Sequence, residues 1–214
     1  PGLQLLTPQP LQPQNLQVLT GGLTEARQGF SALPGVAVEL QQITTEVSAK
    51  LLLNQDLTNQ NLIQQLSNVP FNVVHLATHG QFSSNAEETF ILTWDDRLKV
   101  KQLSDLLRNR DVRSTTPLEL LVLSACQTAS GDQRAALGLA GVAVRSGARS
   151  TVATLWSVND EAAATLMTRF YQELTQPGMT KAQALRQAQL ALLREPQFKQ
   201  PYYWSPFVLI GNWL

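Results

Sequence analysis

Short apolar runs recur along this chain, and segments with apolar residues at helical spacing separate them. The runs predict buried strands, and the helical spacing predicts amphipathic helices between the strands. Strands are predicted at 16–20, 51–53, 73–78, 120–125, 151–156 and 207–210, and helices at 36–47, 58–66, 103–107, 135–144, 159–174 and 180–194. Alternating strands and helices are typical of a mostly parallel sheet with helices on both faces, so the sequence predicts an α/β fold.

Polar residues mark several boundaries within this pattern. Thr58 and Asn159 stand where helices begin, and each side chain can accept a hydrogen bond from the first helical turn. A different element is predicted at 90–98, where two apolar stretches flank an acidic turn. That arrangement indicates a β-hairpin inserted after the strand at 73–78.

Residues 1–15 differ from the rest of the chain because they carry four prolines and four glutamines. Proline suits neither a helix interior nor a central strand, so we expect a linker or an N-terminal strap here. Residues 16–214 are enough for one large α/β domain with its own core. The first residue is not methionine, and we expect the domain to be part of a longer polypeptide.

Composition narrows the functional classes. Sixteen basic and sixteen acidic residues give a net charge of zero, and no Lys/Arg run is present to follow a phosphate backbone. No apolar run approaches the ~18 residues of a membrane span, and the N-terminus lacks the features of a signal peptide. We therefore expect a cytoplasmic protein that binds neither nucleic acid nor membrane.

Two residues that can support nucleophilic chemistry end predicted strands. His79 follows the run at 73–78, and Cys126, the only cysteine, follows the run at 120–125. Since parallel strands place their carboxyl ends at one edge of a sheet, both side chains are expected there. An imidazole can hold a thiolate as an ion pair and later protonate a leaving amine, so the two residues predict a Cys-His dyad. The backbone N–H groups of Gly80 and Cys126 are candidates for an oxyanion hole.

Other interpretations of these residues stay open. Cys126 could be a buried structural thiol, and His79 could merely end a strand. His75 lies on the same face of its strand as His79 and is an alternative base, although a mid-strand histidine between apolar residues is typical of a core. Two histidines and one cysteine make a poor zinc set, so no metal or cofactor is predicted. The glycines at 138–147 do not directly follow a strand as a nucleotide-binding phosphate loop would.

Four motifs resemble the CHAT family of caspase-like domains associated with tetratricopeptide repeats. They are residues 74–80 (Val-His-Leu-Ala-Thr-His-Gly), 123–128 (Leu-Ser-Ala-Cys-Gln-Thr), 153–160 (Ala-Thr-Leu-Trp-Ser-Val-Asn-Asp), and 202–204 (Tyr-Tyr-Trp) with 207–211 (Phe-Val-Leu-Ile-Gly). The resemblance implies a caspase-like three-layer sandwich and membership of the clan of caspases, separases and gingipains. It also implies that His79 is the base and Cys126 the nucleophile of a cysteine endopeptidase acting on protein or peptide substrates.

The same resemblance implies a regulatory context and an alternative. CHAT domains are often regulated proteases of bacteria, notably cyanobacteria, with tetratricopeptide repeats or another sensor upstream. The alternative is a caspase-like scaffold or signalling module whose dyad is idle. The segment between Cys126 and the strand at 151–156 is too short for a processing linker like that of caspases, so we expect an unprocessed chain.

Substrate preference is less well marked. The caspase signature Gln-Ala-Cys-Arg-Gly is not present, and relatives that prefer basic residues carry an acid where this chain has Ser124. Asp160 is a candidate wall of the pocket for the residue before the scissile bond, or else an acid that favours the helix dipole by ~0.3 to 1 kcal/mol. Trp156 either walls the cleft or packs in the core. Asp132, in the loop at 127–134, is a further candidate for substrate contact.

Overall fold

The computed structural model describes residues 11–83, 85–113, 116–124, 127–128 and 147–214, and its elements follow the predicted alternation. The strands are β1 (Gln17–Gly22), β2 (Ser48–Leu53), β3 (Val73–Ala77), β4 (Gly80–Phe82), β5 (Phe90–Leu92), β6 (Arg97–Lys99), β7 (Leu120–Ser124), β8 (Gln127–Thr128), β9 (Ser150–Thr154) and β10 (Phe207–Gly211). The α-helices are α1 (Gly35–Glu46), α2 (Asn59–Asn68), α3 (Val100–Arg113), α4 (Asp160–Leu174), α5 (Lys181–Arg194) and α6 (Pro201–Trp204). The helix predicted at 135–144 lies outside the described residues.

The main sheet has six strands in the order β10-β9-β7-β3-β1-β2. Its neighbouring strands are parallel, except that β10 runs antiparallel to β9. The predicted mostly parallel sheet is therefore confirmed. Strands β3 and β7 are neighbours in the middle of this sheet, so the positions that follow them share one edge.

A second, smaller sheet has the order β6-β5-β4-β8. Strands β5 and β6 are antiparallel, which confirms the predicted hairpin. Strand β4 follows β3 along the chain and β8 follows β7, and these two short strands pair in parallel. The small sheet therefore extends the two central strands beyond the edge where His79 lies.

Helices cover both faces of the main sheet and make a three-layer sandwich. On one face α1, α4 and α5 pack against alternate strand residues, including Val73 and Ala77 of β3. On the other face α2 and α3 pack against the intervening strand residues, including Val74 and Leu76 of β3. Because both faces are buried, the central strands appear in the sequence as continuous apolar runs.

Two helix caps predicted from the sequence are confirmed. The Thr58 hydroxyl accepts a hydrogen bond from Asn61 N at 3.1 Å, at the start of α2. The Asn159 side chain accepts one from Ala162 N at 3.0 Å, at the start of α4. These bonds satisfy N–H groups that have no partner within the helix.

Gly22 allows side chains of α1 to pack directly on the backbone of β1. A Cβ atom at this position would lie 2.5 Å from Val36 Cγ1 and 2.7 Å from Leu40 Cδ1. A larger residue would force the Val36 and Leu40 side chains to shift. The glycine therefore favours the close packing of α1, which carries a buried acid toward the centre of the sheet.

A charged group of three residues lies at the opposite edge of the sheet from His79. Glu119 precedes β7 and Arg149 precedes β9, and their Oε1 and Nη1 atoms are 2.7 Å apart. Lys181, the first residue of α5, is buried, and its Nζ has no hydrogen-bond partner within the described residues. Burial lowers the pKa of Lys181 to about 8, although the Glu119 charge opposes this shift. Burial also raises the pKa of Glu119.

Among the described residues, no helix combines the length and the apolar character needed to cross a membrane.

Candidate active site

The imidazole of His79 is held at the carboxyl end of β3 by a backbone carbonyl. Its Nε2 lies 2.8 Å from the oxygen of Ser31. A carbonyl oxygen only accepts hydrogen bonds, so Nε2 carries the proton and Nδ1 is left as the basic nitrogen. The ring is partly exposed. This is the arrangement of a side chain that can take a proton from a neighbouring group.

The loop that supplies the Ser31 carbonyl also packs on the imidazole. Arg27 and Phe30 form an isolated antiparallel bridge, and the two residues between them have positive φ, 49° at Gln28 and 85° at Gly29. Positive φ at both central residues is typical of tight hairpin turns, and glycine adopts it without strain. The turn places the Phe30 ring 4.9 Å from the His79 ring. The loop therefore fixes both the plane and the hydrogen bonding of the imidazole.

Ser31 is not predictable from its residue type, because its contribution is made by the main chain. The available signal was only that a long irregular segment follows the first strand. Such loops at the carboxyl edge of a parallel sheet commonly carry functional groups.

Cys126 and Asp132 lie outside the described residues. The nearest described residues before and after Cys126 are Ser124, which pairs with Ala77 across β7 and β3, and Gln127, which pairs with Gln81 across β8 and β4. Both partners lie two residues from His79. The strand pairing thus brings the chain before and after Cys126 to the two sides of His79, and the role of Cys126 itself stays a prediction.

Gly80 is the first residue of β4, and its Cα partner is Ile91 of β5. The preceding carbonyl, that of His79, accepts a hydrogen bond from Leu92 N at 2.8 Å. The small sheet therefore fixes the backbone that follows the imidazole. The assignment of Gly80 to an oxyanion hole stays a prediction.

Asp160 links the first turns of α1 and α4. Its Oδ2 accepts a hydrogen bond from Gly35 N at 2.5 Å, and a Cβ atom at Gly35 would lie 2.8 Å from that oxygen. The pKa of Asp160 is raised mainly by burial and further by the charge of Glu39, whereas the bond from Gly35 and the charge of His79 lower it. Asp160 is therefore near enough to His79 to interact electrostatically, and it also stabilises the start of α1.

Trp156 lies on the rim that follows β9 and is partly buried. Its Nε1 donates a hydrogen bond to the Tyr202 carbonyl at 3.3 Å, and the Tyr202 hydroxyl donates to the Ser157 carbonyl at 2.9 Å. These two bonds attach the rim to α6. Contact of Trp156 with substrate stays a prediction.

Beneath this edge, a buried polar network joins β3, β7, α1 and α4. His75 Nε2 lies 2.8 Å from Glu39 Oε1 and 3.1 Å from Ser124 Oγ, and Nδ1 lies 3.2 Å from the Tyr171 hydroxyl. Ser124 Oγ donates to Glu39 Oε1 at 2.8 Å. His75 is fully buried and hydrogen-bonded, as expected of a core histidine.

The buried acid of this network, Glu39, has a signal in the sequence. Glu39 is three residues after Val36 and four before Ile43, both on the core face of α1. It is only 1% exposed. An acid at a core-facing helical position indicates a buried partner, because an unpaired carboxylate is costly to bury. Its charge, after burial itself, also raises the pKa of Tyr171.

Within the described residues, no group of three or more His, Cys, Asp or Glu side chains is arranged to hold a metal ion.

The sheet order, the three layers and the histidine at the carboxyl end of β3 are those of a caspase-like α/β fold. The chain belongs to the CHAT domain family, which it matches over residues 3–212. A comparison with curated proteins gives no match.

Solved structures of peptidases share this fold. The chain is similar to the Arg-specific cysteine proteinase gingipain R, with a TM-score of 0.60, 12% identity, and coverage of 94% of this chain and 47% of that chain. It is also similar to the Drosophila initiator caspase Dronc, with a TM-score of 0.57, 10% identity, and coverage of 95% and 82%. A third similar structure is the complex of Porphyromonas gingivalis RgpB pro- and mature domains, with a TM-score of 0.57 and 10% identity. The match covers 94% of this chain and 48% of that chain. This chain thus spans about half the length of the gingipain chains that it matches.

Proposed function

We propose that this chain is a cysteine endopeptidase domain in which His79 and Cys126 form the catalytic dyad. The observation that carries the proposal is the 2.8 Å bond between His79 Nε2 and the Ser31 carbonyl. It leaves Nδ1 as a base beside the strand that leads to Cys126. Membership of the CHAT family and the caspase-like fold support the same chemistry.

The proposed reaction is acyl transfer through a thioester. His79 Nδ1 takes the proton of the Cys126 thiol, and the thiolate attacks the carbonyl carbon of the scissile peptide. The tetrahedral intermediate collapses as the C–N bond breaks, and the imidazolium returns its proton to the leaving amine. Water, deprotonated by His79, then hydrolyses the thioester and restores the thiol.

The oxyanion of the tetrahedral intermediate needs hydrogen-bond donors. In the proposal these are the backbone N–H groups of Gly80 and Cys126. Removing one such donor typically costs about 2.7 to 4 kcal/mol of transition-state stabilisation. No metal or cofactor takes part in the proposed steps.

The substrate in this proposal is a protein or peptide, bound in part by Asp160, Trp156 and Asp132. Asp160 is the first residue of α4, directly beyond the rim that carries Trp156, and it is half-buried. Its Oδ2 is already bonded to Gly35, so a substrate would contact the other oxygen. We further propose that the domain acts in the bacterial cytoplasm under the control of upstream tetratricopeptide repeats or another sensor.

A peptide-library digest read by mass spectrometry tests the proposal. Wild type is expected to cleave peptide bonds, and Cys126→Ala and His79→Ala are expected to lower the rate at least about 10³-fold. Ser67→Ala, a similar truncation on the exposed face of α2, serves as the control and is expected to leave cleavage unchanged. Cleavage that survives in Cys126→Ala would refute the proposal. Absence of cleavage, with cellular function retained in Cys126→Ala, would favour the idle scaffold instead.

A further inference from the structure

Next to His79 lies an aromatic surface that carries a stacked arginine. Arg97, an exposed residue of β6, places its guanidinium carbon 4.7 Å from the centre of the Phe90 ring and 6.0 Å from that of Phe30. The two rings are 6.2 Å apart in an edge-to-face arrangement. We call Arg97, Phe90 and Phe30 the arginine–aromatic surface.

The Arg97 guanidinium has no carboxylate partner within the described residues. By contrast, Arg149 pairs with Glu119, Arg169 pairs with Glu173, and Arg27, though stacked on Trp94, donates to the Trp94 carbonyl. Stacking occupies the face of a guanidinium and leaves the N–H donors in its plane free. Arg97 is therefore oriented, while no described residue accepts a hydrogen bond from its guanidinium.

The acids nearest to Arg97 in sequence are engaged elsewhere. Asp96 Oδ1 accepts the backbone N–H of Arg97 at 2.7 Å. Asp95 Oδ1 accepts hydrogen bonds from Asn59 N at 3.0 Å and Thr93 Oγ1 at 3.1 Å. Both carboxylates stabilise the hairpin turn and do not pair with the guanidinium.

The arginine–aromatic surface adjoins the base of the dyad through Phe30, whose ring lies 4.9 Å from that of His79. The strand order shows on which side of β3 and β7 this surface lies. In the small sheet, β5 and β6 lie beyond β4 and away from β8, whereas β9 and its rim lie beyond β7 in the main sheet. Arg97 and Trp156 are therefore on opposite sides of the line between β3 and β7.

We propose that Arg97 is a specificity residue that binds a carboxylate side chain of the substrate, an Asp or Glu, on the leaving-group side of the scissile bond. This proposal rests on the proposed peptidase function, with the acyl side of the substrate lying over the rim of Trp156. A guanidinium matches a carboxylate with two parallel N–H···O bonds, which a neutral amide cannot reproduce.

The test compares matched peptide substrates. Two library pools are identical except for Glu or Gln fixed at each of the positions that follow the scissile bond. Wild type is expected to cleave the Glu pool with a kcat/KM about tenfold higher than the Gln pool at one of these positions. Arg97→Gln is expected to abolish that preference by slowing the Glu pool only, and Arg97→Lys to retain part of it, since an ammonium lacks the planar fork.

Controls separate this proposal from the proposed function. Arg108→Gln removes an exposed arginine of α3 and is expected to keep the Glu preference. A wild-type enzyme that cleaves but does not distinguish Glu from Gln overturns the role of Arg97, as does a Glu preference that survives in Arg97→Gln.

If no peptide is cleaved, the proposed function fails, and binding decides the role of Arg97 separately. Fluorescence anisotropy with the labelled Glu and Gln pools on Cys126→Ala is then compared with that on Cys126→Ala/Arg97→Gln. Loss of tighter Glu binding in the double variant supports the proposal, and equal binding of both pools by Cys126→Ala overturns it.

Discussion

Replacing Glu39 with alanine is expected to destabilise the fold strongly, although the residue lies outside the exposed edge. The substitution removes the oxygen that lies 2.8 Å from both His75 Nε2 and Ser124 Oγ. Both of those groups are buried, so water does not replace the lost acceptor. Removing one partner of a buried pair typically costs about 3 to 5 kcal/mol.

The structure places the expected cost near the lower end of that range. His75 Nε2 and Ser124 Oγ lie 3.1 Å apart and keep each other as partners in the variant. We therefore expect a loss of about 3 kcal/mol in the free energy of unfolding, since each lost buried hydrogen bond costs about 1 to 3 kcal/mol. For a chain of this size, that loss lowers Tm by about 6 to 12 °C.

The assay is urea unfolding followed by tryptophan fluorescence, with calorimetry to give Tm. Glu46→Ala is the matched control, because Glu46 is an exposed acid at the other end of the same helix. Its substitution is expected to change stability by no more than about 0.5 kcal/mol. If Glu39→Ala unfolds within about 1 kcal/mol of wild type with an unchanged slope, the polar network does not stabilise the fold as argued.

Two further changes probe other parts of the molecule. Burial lowers the pKa of Lys181 to about 8, so above pH 8 this residue is less protonated in the folded protein than in the unfolded protein. Stability is therefore expected to rise by about 2 kcal/mol between pH 7 and pH 9.5 in urea titrations, and Lys181→Met should remove the rise; equal pH profiles for the two proteins would contradict this. Gly35→Ala places a Cβ 2.8 Å from Asp160 Oδ2 and is expected to cost about 1 to 3 kcal/mol in the same assay, with the exposed Val38→Ala as control. If the stability of Gly35→Ala equals that of wild type, the contact between α1 and α4 adjusts without cost, which contradicts the expectation.

The layered fold could be predicted because each central strand and helix carries its own spacing of apolar residues. The predicted and observed elements differ where that spacing is weak. Strand β2 begins at Ser48, whereas the sequence predicted a start at 51. It is an edge strand, and because its first residues are largely exposed, no apolar run marks them in the sequence. Strands β4 and β8 were missed because segments so short depend on their partners, not on local preference.

The candidate site was predictable to the extent that side chains mark it. His79 was identified because a polar residue ends an apolar run. Glu39 was detectable in principle as an acid at a core position of α1. The Ser31 carbonyl was not, since every residue has one and only the folded loop brings it to an imidazole.

The use of the Ser31 main-chain carbonyl determines which loop residues can be substituted. Substituting the Ser31 side chain leaves the hydrogen-bond acceptor in place, so position 31 can change its residue without releasing the imidazole. A displacement of the turn at Gln28 and Gly29 would withdraw the acceptor and the Phe30 ring together. The residue at position 31 is thus free to change among homologous chains, while Phe30, Gly29 and the path of the loop backbone are under constraint.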